Sequence, residues 1–161
     1  MIPDKAATDA RLKIWKTKSK TPTPGWGWCG WYKGWYFRSL RELSFVIEVL
    51  EKSHKIWETG ENPKYQIPYV DLQGVSRNYF PDFVLTKERI IVECKPISQW
   101  KDPLVCVKKA AAAEFCAKKG YKFRMIDPVI IDEQKLKQLY KAKVIKFVPE
   151  TDKKFKKQYR L

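Results

Sequence analysis

Two runs of β-forming residues, 78–86 and 89–95, most constrain the fold, because the polar stretch between them predicts a β-hairpin. A loop over residues 86–89 suits this stretch better than a two-residue turn, which would favour Asn-Gly or Asp-Gly. A loop with this centre sets the strand register and places Asp82 directly opposite Glu93. Directly opposed residues share one face of a sheet and lie about 5 Å apart at Cβ.

Lys95 adds a third charged group, because it lies two residues beyond Glu93 on the same face, roughly 6.6 Å along the strand. Two opposed carboxylates repel each other unless a cation neutralises them, and carboxylate oxygens suit a hard divalent ion such as Mg2+. Beside such an ion, Lys95 can orient an attacking water or stabilise the charge that develops on a phosphate during phosphodiester hydrolysis. A cross-strand salt-bridge cluster of the same residues explains the spacing equally well, so spacing alone leaves both interpretations open.

The rest of the chain supplies helices and further strands around this hairpin. Ser39 and Glu42 form a capping-box pattern that opens the first helix, whereas Asp102 and Gly120 mark the two ends of the second. In chain order we predict a helix from Ser39 to about residue 52, a strand at 66–72, a turn at 74–78, the two hairpin strands, a helix between 102 and 120, a strand at 121–126, a short helix at 132–140 and a short strand at 144–148.

The charge distribution favours a polyanionic partner. The chain carries 33 Lys and Arg against 18 Asp and Glu, a formal net charge of +15. Residues 36–100 are balanced, so the excess lies in the two flanks, and nucleic acid is the favoured partner. We therefore predict a basic N-terminal arm with a Trp/Gly-rich segment at 1–35, a central domain at 36–148 and a basic C-terminal tail at 149–161.

Four tryptophans and four glycines crowd the stretch GWGWCGWYKGWYF, which is too short and too rich in glycine for a helix. The favoured interpretation is a lid of aromatic side chains packed over the domain core or against a dimer partner. Stacking on nucleic-acid bases is the alternative.

Several classes of protein are disfavoured by the sequence. No stretch approaches the roughly 18 apolar residues of a membrane span, and the first residues lack the apolar segment of a secretory signal. The four cysteines form no C-x-x-C pair, which argues against a disulfide framework or a zinc site. We expect a cytoplasmic protein with reduced thiols.

Several motifs of the sequence resemble those of a known superfamily. Pro81-Asp82 followed by Glu93-Cys94-Lys95 resembles the PD-(D/E)XK nuclease signature. The matching motifs are Y-F-R-S-x-x-E at 36–42, I-P-Y at 67–69, N-Y-F-P-D-F at 78–83, E-C-K-P with Gln99, and A-x-x-F-C-x-x-x-G-Y-x-F at 112–123. Residues 36–126 together resemble TnsA-like endonuclease domains and phage head-completion nucleases, and their first part is similar to the junction-resolving phage endonuclease I.

The resemblance implies an α/β, restriction-endonuclease-like fold with an αβββαβ core, in which helices flank a mixed central sheet. It also implies site residues. Metal ligands would be Glu42, Asp82, Glu93 and the Cys94 carbonyl, with Lys95 as the catalytic lysine and Gln99 near the site. Arg38 and Ser39 would orient Glu42 or contact a phosphate. Two interpretations stay open for the lysines of the second helix: they contact phosphates, or they form a merely solvated face. These residues are Lys108, Lys109, Lys118 and Lys119.

The predicted function is a Mg2+-dependent DNA endonuclease of the head-completion or TnsA-like type, in which Mn2+ would substitute for Mg2+. The alternatives are a Holliday-junction resolvase of the endonuclease I type and a non-catalytic DNA-binding protein on the same fold. The expected partner is DNA rather than a membrane, and a homodimer or a partner protein stays open. A phage-encoded protein acting in the host cytoplasm fits this prediction.

Overall fold

The structure is a computed structural model that describes residues 28–161. The predicted basic arm and Trp26 lie outside the described residues. The described chain divides into two compact units. The first unit comprises Leu50–Pro128, and the second comprises residues 28–49 together with Val129–Leu161.

The elements of the chain follow in order. The first half contains β1 (Gly30–Tyr32), β2 (Trp35–Phe37), α1 (Leu40–Ser44, continued by a π-helix at Phe45–Glu51), β3 (Glu58–Thr59), a 3-10 turn (Pro63–Tyr65), β4 (Ile67–Val70), β5 (Ser76–Tyr79) and β6 (Phe83–Leu85). The second half contains β7 (Ile90–Cys94), a 3-10 turn (Ile97–Gln99), α2 (Pro103–Lys119), β8 (Lys122–Ile126), α3 (Glu133–Lys141), β9 (Ile145–Phe147) and α4 (Pro149–Tyr159).

A mixed four-stranded sheet forms the centre of the first unit, with strand order β3-β6-β7-β8. β6 is antiparallel to β3 and β7, whereas β8 returns parallel to β7 after the crossover helix α2. Its core packs Val84 and Ile91 of the sheet against Cys116 of α2 and against Tyr65. The predicted α/β fold with a mixed sheet is therefore confirmed.

The β6–β7 register agrees with the sequence prediction. Phe83 pairs with Val92 and Leu85 pairs with Ile90, and the chain reverses over residues 86–89. The four-residue loop ends at Arg89 in the left-handed conformation, with φ at 56°. Sequence reasoning thus determined which residues face each other across this hairpin.

The predicted strand at 66–72 is present as β4, but it lies outside the central sheet to which the αβββαβ order would assign it. Residues 67–70 pair with Ser76–Tyr79 in a separate two-stranded hairpin, and the first strand of the central sheet is instead the two-residue β3. The predicted turn at 74–78 is wrong, because the chain already reverses at Asp71, whose carboxylate accepts hydrogen bonds from the backbone N–H groups of Gln73 and Val75.

The predicted strand at 78–86 is interrupted in the structure. Tyr79 ends β5 and Phe83 begins β6, so residues 80–82 belong to neither strand. Pro81 lies in this gap, and a proline has no N–H to donate to a β-ladder. The break places Asp82 immediately before β6.

Capping explains where α2 begins and ends. The side chain of Asp102 accepts a hydrogen bond from the backbone N–H of Leu104, and Pro103 occupies the first turn. Gly120 ends the helix in the left-handed conformation, with φ at 75°. The guanidinium of Arg89 donates to the carbonyls of Lys119 and Gly120 at 2.8 and 2.9 Å, which ties the β6–β7 loop to the helix end.

The second unit is built on the three-stranded sheet β2-β1-β9. Its core is aromatic: Trp35, Phe37, Phe147 and Phe155 are buried. The Trp/Gly-rich stretch forms the β1–β2 hairpin, and Trp28 packs edge-on against Phe147 and Phe155. The packing interpretation is therefore confirmed for Trp35, which is only 1% exposed and is closed to base stacking.

The C-terminal segment differs from the predicted basic tail. Residues Pro149–Tyr159 form a helix, and Thr151 and Phe155 are buried. Two buried residues at helical spacing among many lysines gave too weak an apolar pattern to recognise. No described helix has the length and apolarity that a bilayer crossing requires, and all four cysteines are free thiols.

Candidate active site

The β6–β7 register brings the two predicted carboxylates to the same end of the hairpin. Phe83 and Val92 form its last pair at this end, so one further step places Asp82 opposite Glu93, as the sequence predicts. The Oδ2 atom of Asp82 accepts a hydrogen bond of 2.8 Å from the backbone N–H of Cys94. The Asp82 carbonyl accepts a bond of 3.0 Å from the N–H of Gly60, just after β3. Asp82 is therefore held between two neighbouring strands.

A half-buried tyrosine, Tyr79, links the two carboxylates to the helix α2. Burial raises the pKa of Tyr79 well above its usual range, and the negative charges of Glu93 and Asp82 raise it further. Both carboxylates are thus close enough to act on the same phenol. The hydroxyl of Tyr79 donates a hydrogen bond of 3.1 Å to the carbonyl of Lys108.

The backbone of Lys95 is fixed on both sides. Its N–H donates to the carbonyl of Ile126 at 2.9 Å, which extends the parallel β7–β8 ladder by one residue. Its carbonyl accepts a hydrogen bond of 2.8 Å from the indole of Trp100. Because side chains alternate along a strand, Lys95 follows Glu93 on the same face. Asp82, Glu93 and Lys95 thus all lie at the same end of the β6–β7 pair, and their action on a common ion stays a prediction.

Gln99 lies at the end of the 3-10 turn that follows this triplet, and its side chain is exposed. The turn is anchored by Asp127, whose carboxylate accepts a hydrogen bond of 3.0 Å from the N–H of Ile97. Continuing the β7–β8 register places Asp127 opposite Lys95. The role of Gln99 stays a prediction.

Glu42 belongs to the second unit, where its side chain caps α1. Its N–H donates to the Oγ atom of Ser39 at 3.2 Å, and its Oε2 atom accepts from the N–H of Arg38 at 2.9 Å. The Ser39 contact is the N-cap that the sequence predicts, whereas the Glu42 carboxylate binds the N–H of Arg38 rather than that of Ser39. A metal-binding role for Glu42 and a phosphate contact for Arg38 or Ser39 stay predictions.

The four predicted phosphate-binding lysines occupy different places on α2. The ammonium group of Lys108 lies 5.3 Å from the ring centre of Tyr69 and 5.6 Å from that of Tyr79, next to the carboxylates. Lys109 is exposed beside it. Lys118 and Lys119 lie ten residues further along, about 15 Å at the usual helical rise. Lys118 there forms an exposed ion pair with Glu114.

The donor set is suitable for Mg2+. Within residues 28–161, no group of three or more His, Cys, Asp or Glu side chains is arranged to hold a metal ion. Asp82 and Glu93 instead provide two carboxylates, and the N–H of Cys94 orients the first of them. Mg2+ commonly binds one or two carboxylates and completes its shell with water and substrate phosphate. The residues present therefore fit this ion, provided that the substrate contributes ligands.

Two residues of the site were not predicted from the sequence. Tyr79 lies within the motif N-Y-F-P-D-F, but its role depends on the position of α2, which no local pattern gives. Asp127 is brought to Lys95 by the parallel register of β8, and parallel registers have no turn from which they can be deduced.

One family model matches the part of the chain that contains these residues. Residues 53–128 match the family model described as TnsA-like endonuclease N terminal, which is somewhat less than half of the chain. No curated protein and no solved structure matches. The matched range nearly coincides with the first unit and includes Asp82, Glu93 and Lys95. The first unit of this chain therefore resembles the TnsA-like endonuclease N-terminal domain, as its PD-(D/E)XK motif predicts.

Proposed function

We propose that the first unit is the catalytic domain of a Mg2+-dependent DNA endonuclease that hydrolyses phosphodiester bonds. The observation that carries the proposal is the opposed pair Asp82 and Glu93, with Lys95 on the same face, inside the TnsA-like match. If Asp82, Glu93 and Lys95 formed only a salt-bridge cluster, neither a match to an endonuclease family nor a hydrogen bond that orients Asp82 would be needed. The TnsA-like match and the hydrogen bond that orients Asp82 favour the nuclease.

Each residue has a distinct role in the proposed reaction. Asp82, Glu93 and the Cys94 carbonyl would hold Mg2+, and Mn2+ would take its place. The bound ion would supply electrostatic stabilisation of the charge that develops on the phosphate. Lys95 would orient the attacking water through its ammonium group and stabilise the same developing charge.

Glu42 and Gln99 enter the proposal through the resemblance. Glu42 would be a further metal ligand, and Gln99 would contact the water or the substrate. Arg38 and Ser39 would position Glu42 through the capping contacts described above. Glu42→Gln should then lower the rate of cleavage without lowering affinity for DNA.

A supercoiled plasmid incubated with the protein and Mg2+ tests the central proposal. Asp82→Asn and Lys95→Ala should each lower cleavage by several orders of magnitude while affinity for DNA is kept. Glu88→Gln is the matched control, because Glu88 lies at the other end of the hairpin in an ion pair with Lys55. Cleavage that persists in Asp82→Asn would show that the reaction does not use this site.

We also propose that the substrate is ordinary duplex DNA rather than a four-way junction, because the matched family is TnsA-like. Linear and branched substrates of equal length, cleaved side by side, distinguish the two. Comparable or faster cleavage of the linear duplex is expected. Cleavage confined to junctions would favour the resolvase and would also require a dimer for two cuts.

A further inference from the structure

The β4–β5 hairpin is the part of the first unit that the proposed chemistry does not use. Among residues 28–161 its two strands pair with each other and with no further strand, with Ile67 opposite Tyr79 and Tyr69 opposite Arg77. Every residue from Leu72 to Asn78 is exposed. The hairpin is therefore a two-stranded ribbon with a solvent-facing tip.

The base of this ribbon is fixed next to the candidate active site. Tyr79 donates its hydrogen bond to the carbonyl of Lys108. The charges of Glu93 and Asp82 act on its hydroxyl group and raise its pKa. The ring of Tyr79 packs edge-on against Tyr69 at 5.6 Å between centres, and the Lys108 ammonium lies over both rings. These contacts set the direction in which the ribbon leaves the site.

The tip of the ribbon is ordered by its own side chains. One carboxylate oxygen of Asp71 accepts the N–H groups of Gln73 and Val75 at 3.0 and 2.9 Å. The other oxygen accepts the Nε–H of Arg77, and Gly74 supplies the left-handed φ of 80° that the turn needs. A tip held in this way loses little conformational entropy when it binds a partner.

The surface of the tip is unusually apolar for an exposed turn. Val70, Leu72 and Val75 are 54%, 56% and 48% exposed, and exposed apolar clusters mark binding surfaces. Ser76 and Asn78 add short hydrogen-bonding groups, and Arg77 adds a cation whose side chain is more than half exposed. The edges of DNA bases offer groups that match these side chains. Thymine methyl groups make apolar contacts, and adenine forms hydrogen bonds with the amide of an asparagine.

We propose that the β4–β5 ribbon lies in a groove of the DNA beside the phosphate to be cut and thereby selects where the nuclease cleaves. The inference rests on the proposed nuclease function. A two-stranded ribbon fits the major groove of B-DNA, and a substrate phosphate at Asp82 and Glu93 would bring the duplex to the base of this ribbon. Leu72 and Val75 contact base edges, whereas Arg77 contacts a backbone phosphate.

The apolar contacts are tested in the full chain with the double variant Leu72→Ser, Val75→Ser. Ile56→Ser is the matched control, because Ile56 is an apolar residue of the first unit, 44% exposed and outside the ribbon. Cleavage positions are mapped at nucleotide resolution on a duplex of random sequence in Mg2+. Affinity for a short duplex is measured separately, without divalent ions. The double variant should redistribute the cleavage positions and weaken affinity about tenfold, whereas the control should do neither.

The phosphate contact is tested by the salt dependence of binding. Arg77→Ala should reduce the slope of log affinity against log salt concentration by about one. Lys87→Ala, an exposed cation in the β6–β7 loop, should leave the slope unchanged. Because Arg77 also binds Asp71, Arg77→Lys is included and should recover the slope.

The outcomes separate the two proposals. An unchanged cleavage map together with an unchanged affinity in the double variant would overturn the role of the ribbon and leave the nuclease in place. The tip would then be a surface for a protein partner. A wild-type chain that fails to cut DNA would overturn the proposed function. The affinity measurements would still show whether the ribbon binds DNA.

Discussion

The opposed carboxylates predict an unusual effect on stability, in which removing a charge from the candidate site strengthens the fold. With the two Cβ atoms about 5 Å apart, the repulsion is about 3 kcal/mol at an effective dielectric constant of about 20 and about 1 kcal/mol in bulk water. Asp82 and Glu93 are both half-buried, so the larger value applies. In Asp82→Asn, the hydrogen bond from the Cys94 N–H to a neutral amide is weaker by about 1 kcal/mol. The variant should therefore be about 1–2 kcal/mol more stable than wild type without divalent ions.

Mg2+ should largely cancel this difference, because it binds the wild-type pair. At a Mg2+ concentration about ten times the dissociation constant, binding stabilises the wild type by about 1.4 kcal/mol, whereas Asp82→Asn has lost a ligand and gains little. Urea denaturation followed by circular dichroism, in EDTA and in Mg2+, measures both effects. Glu88→Gln should keep the full response to Mg2+. An Asp82→Asn variant that is less stable than wild type in EDTA, or that keeps the full gain in Mg2+, would refute the paired-carboxylate site.

Three further predictions concern residues around the site. Gly60→Ala should abolish the Mg2+-dependent gain in thermal stability, because the new Cβ would clash with the Pro81 carbonyl and displace Asp82; an unchanged gain would contradict this. Arg89→Ala should lower the free energy of unfolding in urea by about 2 kcal/mol, since two hydrogen bonds to the end of α2 are lost. The pKa of Asp71 is held below its usual value first by the hydrogen bond from the Arg77 side chain, so the ordering of the tip is present above that usual value and is lost as the pH falls through the lowered pKa. The protection factors of the tip amides, which are their exchange rates corrected for intrinsic exchange at each pH, should therefore fall only in strong acid. A loss of protection already near neutral pH would show that Asp71 does not order the turn.

The sequence determined those parts of the fold that have a local signal. The β6–β7 register follows from one loop, and α2 follows from the caps Asp102 and Gly120, all of which act within a few residues. The two-residue strand β3 has no such signal, because its pairing with β6 depends on contacts distant in the sequence. The turn after β4 was placed too late in the sequence, because Asp71 closes it earlier than the glycine suggests.

The candidate site shows the same division between local and distant information. Asp82, Glu93 and Lys95 could be placed together because they lie on one hairpin, where side-chain alternation and register suffice. Tyr79 and Asp127 reach the same region through α2 and β8, whose positions depend on the packing of the whole unit. Residues on one hairpin can be located from sequence, whereas the groups that orient them require the tertiary structure.

The interruption at Pro81 explains why Asp82 can serve this site. A residue inside the ladder would have its backbone fixed by both neighbouring strands and its side chain upright on the sheet. Pro81 cannot donate to the ladder, so β6 begins at Phe83, and the Asp82 side chain at the start of the strand accepts the N–H of Cys94. Gly60 lets the chain pass close to Pro81 and binds the Asp82 carbonyl. The proline that ends one strand thus frees the carboxylate that begins the site, while the glycine beside it determines where that carboxylate lies.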